Sequence, residues 1–302
     1  GVGSNLWYHT RREQVLRAVP RDSEPTNETW LSDRDRYSHF GLNAEDRSLE
    51  PMVKVDGRWS KVTWDEGIKV ASRALRDGVT EHGGASLGVL MSPSVSTEEY
   101  YLAQRLARGL DSPNIDHRLR EQDFSDDAAR TQPAAFRSSM AAIDDADNIL
   151  LIGSNIRHEA PILGQRVRKA WRKGAQVAAL NPLDWNFHFS LANRLIAAPQ
   201  YLLKELAALA VAVSKVTSKD RPATLAVVAS DAKVGNSHTA IAEMLNNDSN
   251  TMLILGQAAM AHPDSACLRA LAAYIAAATG CAFNILTQGG NSKGAWLAGA
   301  VP

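Results

Sequence analysis

Asn148-Ile149-Leu150-Leu151-Ile152-Gly153-Ser154-Asn155 opens on an apolar run and closes on small polar residues. A short apolar run ended by glycine reads as a strand buried on both faces. Pro161 to Lys173 follows with helical spacing, and Gln176 to Leu180 repeats the apolar run before Asn181-Pro182. Strand, helix and strand in this order form a βαβ unit, whose two strands lie parallel.

The alternation extends in both directions. Leu87 to Met91 reads as a buried strand and Glu98 to Leu110 as a helix. Downstream, Tyr201 to Val213 reads as a helix, Thr224 to Ala229 as a strand and Thr239 to Leu245 as a helix. Met252 to Leu255 then reads as a strand and Ser265 to Thr279 as a long helix. Short apolar runs alternating with amphipathic helices imply parallel sheets flanked by helices on both faces, an α/β fold.

The amino-terminal part follows another rule. Leu6 to His9 and Gln14 to Val19 read as strands joined by a polar turn, and Met52 to Val55 and Arg58 to Val62 flank Asp56-Gly57. Asp-Gly suits a type I′ hairpin turn, which needs positive φ at both central residues. Thr63-Trp64-Asp65-Glu66 is a capping box, and Ile68, Ala71, Leu75 and Val79 mark one face of the helix it starts. The expected domains are a small β-rich subdomain over residues 1–62 and an α/β domain over 63–302.

Composition excludes several classes. The 302 residues hold 33 Lys+Arg and 33 Asp+Glu, so the net charge is zero. A general nucleic-acid binder shows a basic excess, and none is present. With 45% hydrophobic and 22% charged residues the chain is globular. Its two cysteines, Cys267 and Cys281, cannot supply the four thiolates of an iron–sulfur cluster or a zinc ribbon. They read as small buried side chains in a reducing compartment. The most apolar stretch, Leu202 to Val213, is interrupted by Lys204 and Glu205, so no direct membrane insertion is expected. The opening Gly1-Val2-Gly3 and the closing Val301-Pro302 read as the ends of a segment of something longer.

In a parallel sheet, ligands bind beyond the carboxyl ends of the strands. There Gly153 would let backbone approach a ligand, and Ser154, Asn155, Asn181 and Asp184 carry groups suited to a ribose or base. The loop is neither G-x-G-x-x-G nor a P-loop. Arg166, Arg168, Lys169, Arg172 and Lys173 make the intervening helix basic, a solvated face or an anion and protein interface. The eight histidines form no H-E-x-x-H motif, and Asp144, Asp145 and Asp147 read as loop carboxylates. Asn27-Glu28-Thr29 and Asn247-Asp248-Ser249 match the glycosylation triplet, though nothing else suggests secretion. No catalytic residue stands out.

Taken over its length, the chain resembles the molybdopterin-oxidoreductase superfamily. Gly1-Val2-Gly3-Ser4 is similar to G-V-G-C of that family's amino-terminal cluster domain, and Leu31 to Tyr37 is similar to L-C-x-K-G-R-F. Thr63 to Gly67 resembles T-W-D-E-A, and Ile152 to Asn155 matches an I-G-S-N that contacts a pterin–guanine dinucleotide in active members. Gln288 to Ala295, with Asn291, resembles the G-x-N-x-x-G-A loop near the pterin. The departures bear on function. Ser4 and Ser32 stand where family cysteines bind a [4Fe–4S] cluster, and a protonated hydroxyl is a poor ligand where soft thiolate is needed. Arg34 replaces a lysine, and Ser125 is the one residue of its stretch suited to ligate molybdenum.

One branch with this character is the family of large iron–sulfur subunits of bacterial NADH-quinone oxidoreductases, respiratory complex I, together with their mitochondrial counterparts. The resemblance runs through Val2 to Asn5, Trp30 to Asp33, Glu50 to Val53, Gly153 to Pro161 and Arg166 to Trp171. It implies a parent subunit whose [2Fe–2S] and [4Fe–4S] clusters carry electrons from NADH toward quinone outside this stretch. It further implies a cofactor-free structural and docking scaffold, without metal, on the cytoplasmic face of the bacterial inner membrane. Its partners would be the other complex I peripheral-arm subunits. The alternative is a pterin- or nucleotide-binding molybdenum-type oxidoreductase domain, with Gly153, Ser154, Asn155, Asn181, Asp184 and Asn291 as its cofactor loops.

Overall fold

A computed structural model describes residues 1–247 and 249–302. The chain begins with β1 (Leu6–Arg11), β2 (Gln14–Pro20), α1 (Asp33–Tyr37), β3 (Met52–Val55) and β4 (Arg58–Lys61). It continues through α2 (Trp64–His82), β5 (Gly88–Leu90), α3 (Thr97–Gly109) and β6 (Asn114–Asp116). Next come β7 (Asn148–Ile152), α4 (Ile156–Glu159), α5 (Pro161–Arg172), β8 (Gln176–Asn181) and β9 (Asn193–Ile196). The path closes with α6 (Leu202–Thr217), α7 (Ala223–Val228), α8 (Asn236–Leu245), β10 (Thr251–Leu255), α9 (Gln257–Met260), α10 (Ser265–Thr279), β11 (Ala282–Ile285) and α11 (Ser292–Leu297).

The chain divides into two compact units. One comprises Gly1–Tyr8, Val19–Asp33 and Arg120–Gln288; the other comprises His9–Ala18, Arg34–Leu119 and Gly289–Pro302. This division differs from the expected boundary after residue 62. The reason lies in two local contacts: the loop at Glu24–Glu28 is held by α5, and the strands between residues 63 and 119 form a sheet of their own.

In the first unit, the described strands form a five-stranded parallel sheet in the order β11-β10-β7-β8-β9. Alternate residues face opposite sides of a strand. Leu150, Ile152, Ala178, Leu180, Leu253 and Leu255 enter a core shared with α6, α8 and α10. Ile149, Leu151, Val177, Ala179, Met252 and Ile254 enter the opposite core, beside α5. Burial on both faces explains why β7 and β10 read as unbroken apolar runs. The chain proceeds outward one way through β8 and β9, then returns to β10 beside β7 and proceeds the other way. The strand order therefore reverses between β7 and β10, where open α/β sheets form a crevice.

The second unit is thinner. The hairpin of β3 and β4 turns through Asp56 and Gly57 at φ 48° and 80°, as the Asp-Gly signal predicts. The capping box also forms: Glu66 N–H donates to Thr63 Oγ1 (3.3 Å), and Thr63 N–H donates to Glu66 Oε2 (2.9 Å). Yet α2 has no fully buried residue: Trp64 is 70% exposed and Ile68 56%. Strand β5 departs from the buried strand expected there, for Leu90 is 64% exposed. A two-stranded parallel sheet, β5 with β6, has too little neighbouring structure to cover it. Its small core gathers Tyr100, Ala107, Ile115, Ala295 and Ala300.

Thr224 to Ala229 corrects the sequence reading, since residues Ala223–Val228 are helical. Leu225 and Ala229 are buried whereas Val227 is 75% exposed. A strand would place all three on one face; a helix puts Leu225 and Ala229 together and turns Val227 to the opposite side.

Candidate functional site

The crevice at the strand reversal is built from two loops, residues 153–155 after β7 and residues 256–257 after β10. Gly153 has φ +56°, and a Cβ there would lie 2.6 Å from the Ala259 nitrogen. At Gly256 a Cβ would lie 2.3 Å from the Ser154 Cβ. Both glycines thus serve the packing of loop on loop, and the backbone that Gly153 approaches is that of α9. Gly256 N–H donates to Ile152 O (2.8 Å) and Ala258 N–H to Gly153 O (3.0 Å), which seals the two strand ends together.

Asn181, at the end of β8, is fully enclosed. Its Oδ1 accepts Ser154 N–H (2.8 Å) and its Nδ2 donates to Ser154 O (3.2 Å). The amide holds the loop as a second strand would.

Glu159 occupies the centre. Its Oε1 accepts Asn155 N–H (2.8 Å), while its Oε2 accepts Ser154 Oγ–H (3.1 Å) and Gln257 N–H (3.2 Å). Two amides and a hydroxyl converging at a strand reversal are the donors with which such crevices hold an anionic or ribose oxygen. Here the chain's own carboxylate takes them. Burial pushes the Glu159 carboxyl above its ordinary value of 4.5, and the three donors pull it back only in part. Among these groups, Asn155 Oδ1 is buried with no hydrogen-bond partner among the described residues.

Glu159 is not among the candidate residues expected from the sequence. The missed signal is an acid one helical turn after a strand-end polar loop, where its side chain can fold back onto the amides that open the helix.

The other expected residues separate. Asp184 is exposed and pairs with Arg194 (2.8 Å). Asn291 lies in the second unit, where its Nδ2 donates to Val95 O (2.9 Å) and Thr97 Oγ1 (3.2 Å). Ser125 is exposed and donates to Asp123 Oδ1 (2.7 Å). Asn247 and Ser249 flank Asp248, the centre of the second glycosylation triplet, which lies outside the described residues.

Ser4 and Ser32, 28 positions apart, do come together: Ser4 Oγ donates to Ser32 Oγ at 3.4 Å. At the preceding residue, a Cβ on Gly3 would meet Met140 Cε at 2.2 Å, so the backbone there lies close against that side chain. Two hydroxyls do not fit a cluster that needs soft anionic ligands. Among the described residues no group of three or more His, Cys, Asp or Glu is placed to hold a metal ion. The dinucleotide fits no better, because the amides that would receive it are already bonded to Glu159.

The basic helix α5 is two things at once. Arg166 is 2% exposed; its guanidinium donates to Asp144 (2.6 Å), Glu24 O (2.6 Å) and Thr26 O (3.0 Å). Lys169 bonds Glu28 and Asp144 (3.0 Å for the latter), and its ammonium holds Glu28 below the usual carboxylate range. These two residues clamp the loop leading to Ser32. Arg172 and Lys173 remain exposed, and Arg168 is half-buried. No helix among the described residues is long and apolar enough to cross a membrane.

The sequence-family profile described as Molybdopterin oxidoreductase matches residues 47–299. A second, described as NADH-ubiquinone oxidoreductase NDSU1/NuoG-like, 4Fe-4S domain, matches residues 1–39. The mitochondrial 78 kDa subunit of NADH-ubiquinone oxidoreductase from Candida albicans is 30% identical over 193 residues, 64% of this chain and 26% of that protein. An NADH-quinone oxidoreductase subunit from Rickettsia felis is 31% identical over 173 residues, 57% of this chain and 25% of that protein. The chain thus spans about a quarter of the length of these relatives. Among solved structures, acetylene hydratase from Pelobacter acetylenicus superposes with a TM-score of 0.63 at 14% identity, covering 90% of this chain and 41% of that one.

Proposed function

The chain belongs to the molybdopterin oxidoreductase family, and from that premise we propose that it is a structural and docking scaffold within the large iron–sulfur subunit of an NADH-quinone oxidoreductase. In this reading the iron–sulfur clusters that pass electrons from NADH toward quinone sit elsewhere in the parent subunit. The scaffold holds the cluster-bearing part against neighbouring peripheral-arm subunits, on the cytoplasmic face of the inner membrane.

The observation that carries this reading is the bonding of Glu159 at the strand reversal. A ligand entering there must displace a half-buried carboxylate and leave it without donors, at a cost of roughly 1–3 kcal/mol. The Ser4–Ser32 pair points the same way, since neither residue supplies a thiolate. The alternative, a pterin- or nucleotide-binding domain, draws its support from the unmatched Asn155 Oδ1.

The test is the molybdenum, tungsten, iron and acid-released pterin content of the purified chain, with titration by a guanine nucleotide alongside. The scaffold reading expects none of the four and no saturable binding. Near-stoichiometric molybdenum with pterin would overturn it in favour of the molybdenum-type domain, and saturable nucleotide binding lost in Gly153→Val would favour the nucleotide module.

A further inference from the structure

Within the second unit, the tip of the β1–β2 hairpin, His9–Ala18, serves none of the contacts described above. The hairpin is a two-stranded sheet, so neither strand has a further strand on its outer edge. Such an edge presents main-chain N–H and C=O groups to whatever meets it. Ala18 is buried and Val15 half-buried, whereas every other residue from His9 to Arg17 is exposed.

The turn of this tip is strained. Arg12 and Glu13 join the strands at φ 50° and 63°. Positive φ at both central residues is type I′ geometry, which Asn-Gly and Asp-Gly adopt with least strain. Asp56 and Gly57 make the β3–β4 turn in that way. At Arg12 and Glu13, by contrast, each position carries a long side chain whose Cβ crowds the following carbonyl. Strain held where a relaxed pair of residues would close the same turn points to a use for the side chains.

Those side chains are cationic in excess. Alternate residues share a face of a strand, so His9 and Arg11 lie together. Arg17 joins them across the hairpin, its Nε donating to His9 Nδ1 (3.1 Å). Among the described residues Arg11, Arg12 and Arg17 form no ion pair, and Glu13, the one carboxylate of the tip, bonds none of them. Three guanidinium groups against one carboxylate leave the tip positive on a chain whose total charge is zero.

An open strand edge recruits an extended segment by main-chain pairing, and guanidinium forks select carboxylates. We propose that this tip docks an extended acidic segment of a partner protein. The segment pairs along the free edge of β1 at residues 9–11 and sets carboxylates against Arg11, Arg12 and Arg17. The open edge favours a protein over a phosphate polymer or an anionic lipid surface, which would meet the charge alone. The proposal goes beyond the scaffold reading and stands on the tip's own residues, so its failure leaves the metal and pterin result untouched.

The test titrates the isotopically labelled chain with the peptide acetyl-Glu-Val-Glu-Val-Glu-amide, with its all-lysine counterpart, with oligothymidylate and with phosphatidylserine vesicles. The acidic peptide is expected to slow amide exchange within residues 9–11 and to bind roughly tenfold tighter than the basic one. Arg11→Glu combined with Arg17→Glu, both exposed, should reverse that preference. Arg12→Asn should separate recognition from structure: asparagine tolerates the left-handed conformation, so the thermal midpoint should not fall, while acidic-peptide binding weakens roughly threefold. If the double reversal unfolds the hairpin, Arg12→Asn decides alone. Equal binding of the two peptides, tighter binding of the oligonucleotide or vesicles than of the acidic peptide, or full binding by Arg12→Asn would overturn the proposal.

Discussion

The carboxylate of Glu159 accepts the amide of Gln257 at 3.2 Å, across the point where the strand order of the central sheet reverses. That bond joins the ends of β7 and β10 through a side chain.

Removing this acceptor should cost stability without any ligand being involved. Glu159→Ala leaves the amides of Asn155 and Gln257 and the Ser154 hydroxyl facing a cavity, and each buried donor left unmatched costs about 1–3 kcal/mol. Urea unfolding should show a lower midpoint for the variant. An unchanged midpoint would mean that the bonds to Glu159 contribute nothing in solution.

The pH dependence has a defined sign. Burial raises the Glu159 carboxyl in the folded chain above its ordinary value of 4.5. A group raised in this way contributes fully below the unfolded value, and its contribution falls as pH rises through the folded value. The stability of the wild-type chain relative to Glu159→Gln, which does not titrate, should therefore decline from about pH 4.5 upward and then level off. A relative stability that rises over that range would refute the assignment.

Gly153 separates packing from ligand binding. Gly153→Ala places a residue with a side chain at φ +56° and drives its Cβ against the Ala259 nitrogen. Left-handed strain and overpacking together should cost about 2 kcal/mol or more. Thermal unfolding of the purified chain measures this directly, and a neutral substitution would restore the view that the glycine leaves room for a ligand.

Two arginines of one helix should behave oppositely. Arg166→Ala removes the bonds to Glu24 O and Thr26 O and leaves Asp144 with Lys169 as its remaining cationic partner, with an expected loss of about 1–3 kcal/mol. Arg172→Glu, on the exposed side, should change stability by no more than about 0.5 kcal/mol. Combined with Arg168→Glu it should weaken assembly of the peripheral arm, read by the amount of chain recovered in the intact complex. Full recovery would remove this face from the docking surface.

The fold is legible in the sequence where periodicity is strong and burial complete. Asn148–Ile152 and Thr251–Leu255 announce themselves because both of their faces are covered. The turn at Asp56-Gly57 and the Thr63–Glu66 cap are equally plain, since each is a local bond pattern with one chemical solution. Ala223–Val228 misleads because six residues, apolar but for Thr224, are too few to distinguish two periods, and packing against α10 settles the matter. Asn114–Asp116, Asn193–Ile196 and Ala282–Ile285 escape notice because each is a short strand without a clear apolar run. Within the site, the strand-end residues Gly153 to Asn155 and Asn181 are visible, but their partner is not. The fold-back of Glu159 onto Asn155 is a local pattern, but its bond to Gln257 across the strand reversal is tertiary and beyond any spacing rule, and the approach of Ser4 to Ser32 depends on a loop held by Arg166 from 140 positions away.

A cofactor must be synthesised, delivered and inserted before the protein around it is finished, and a chain waiting for one is exposed to proteases in the meantime. The group that fills this strand reversal is tethered to the same polypeptide, at an effective concentration no diffusing ligand matches. On the scaffold reading, closure at this point is unimolecular: Glu159 meets its donors once α4 forms beside β7 and β10.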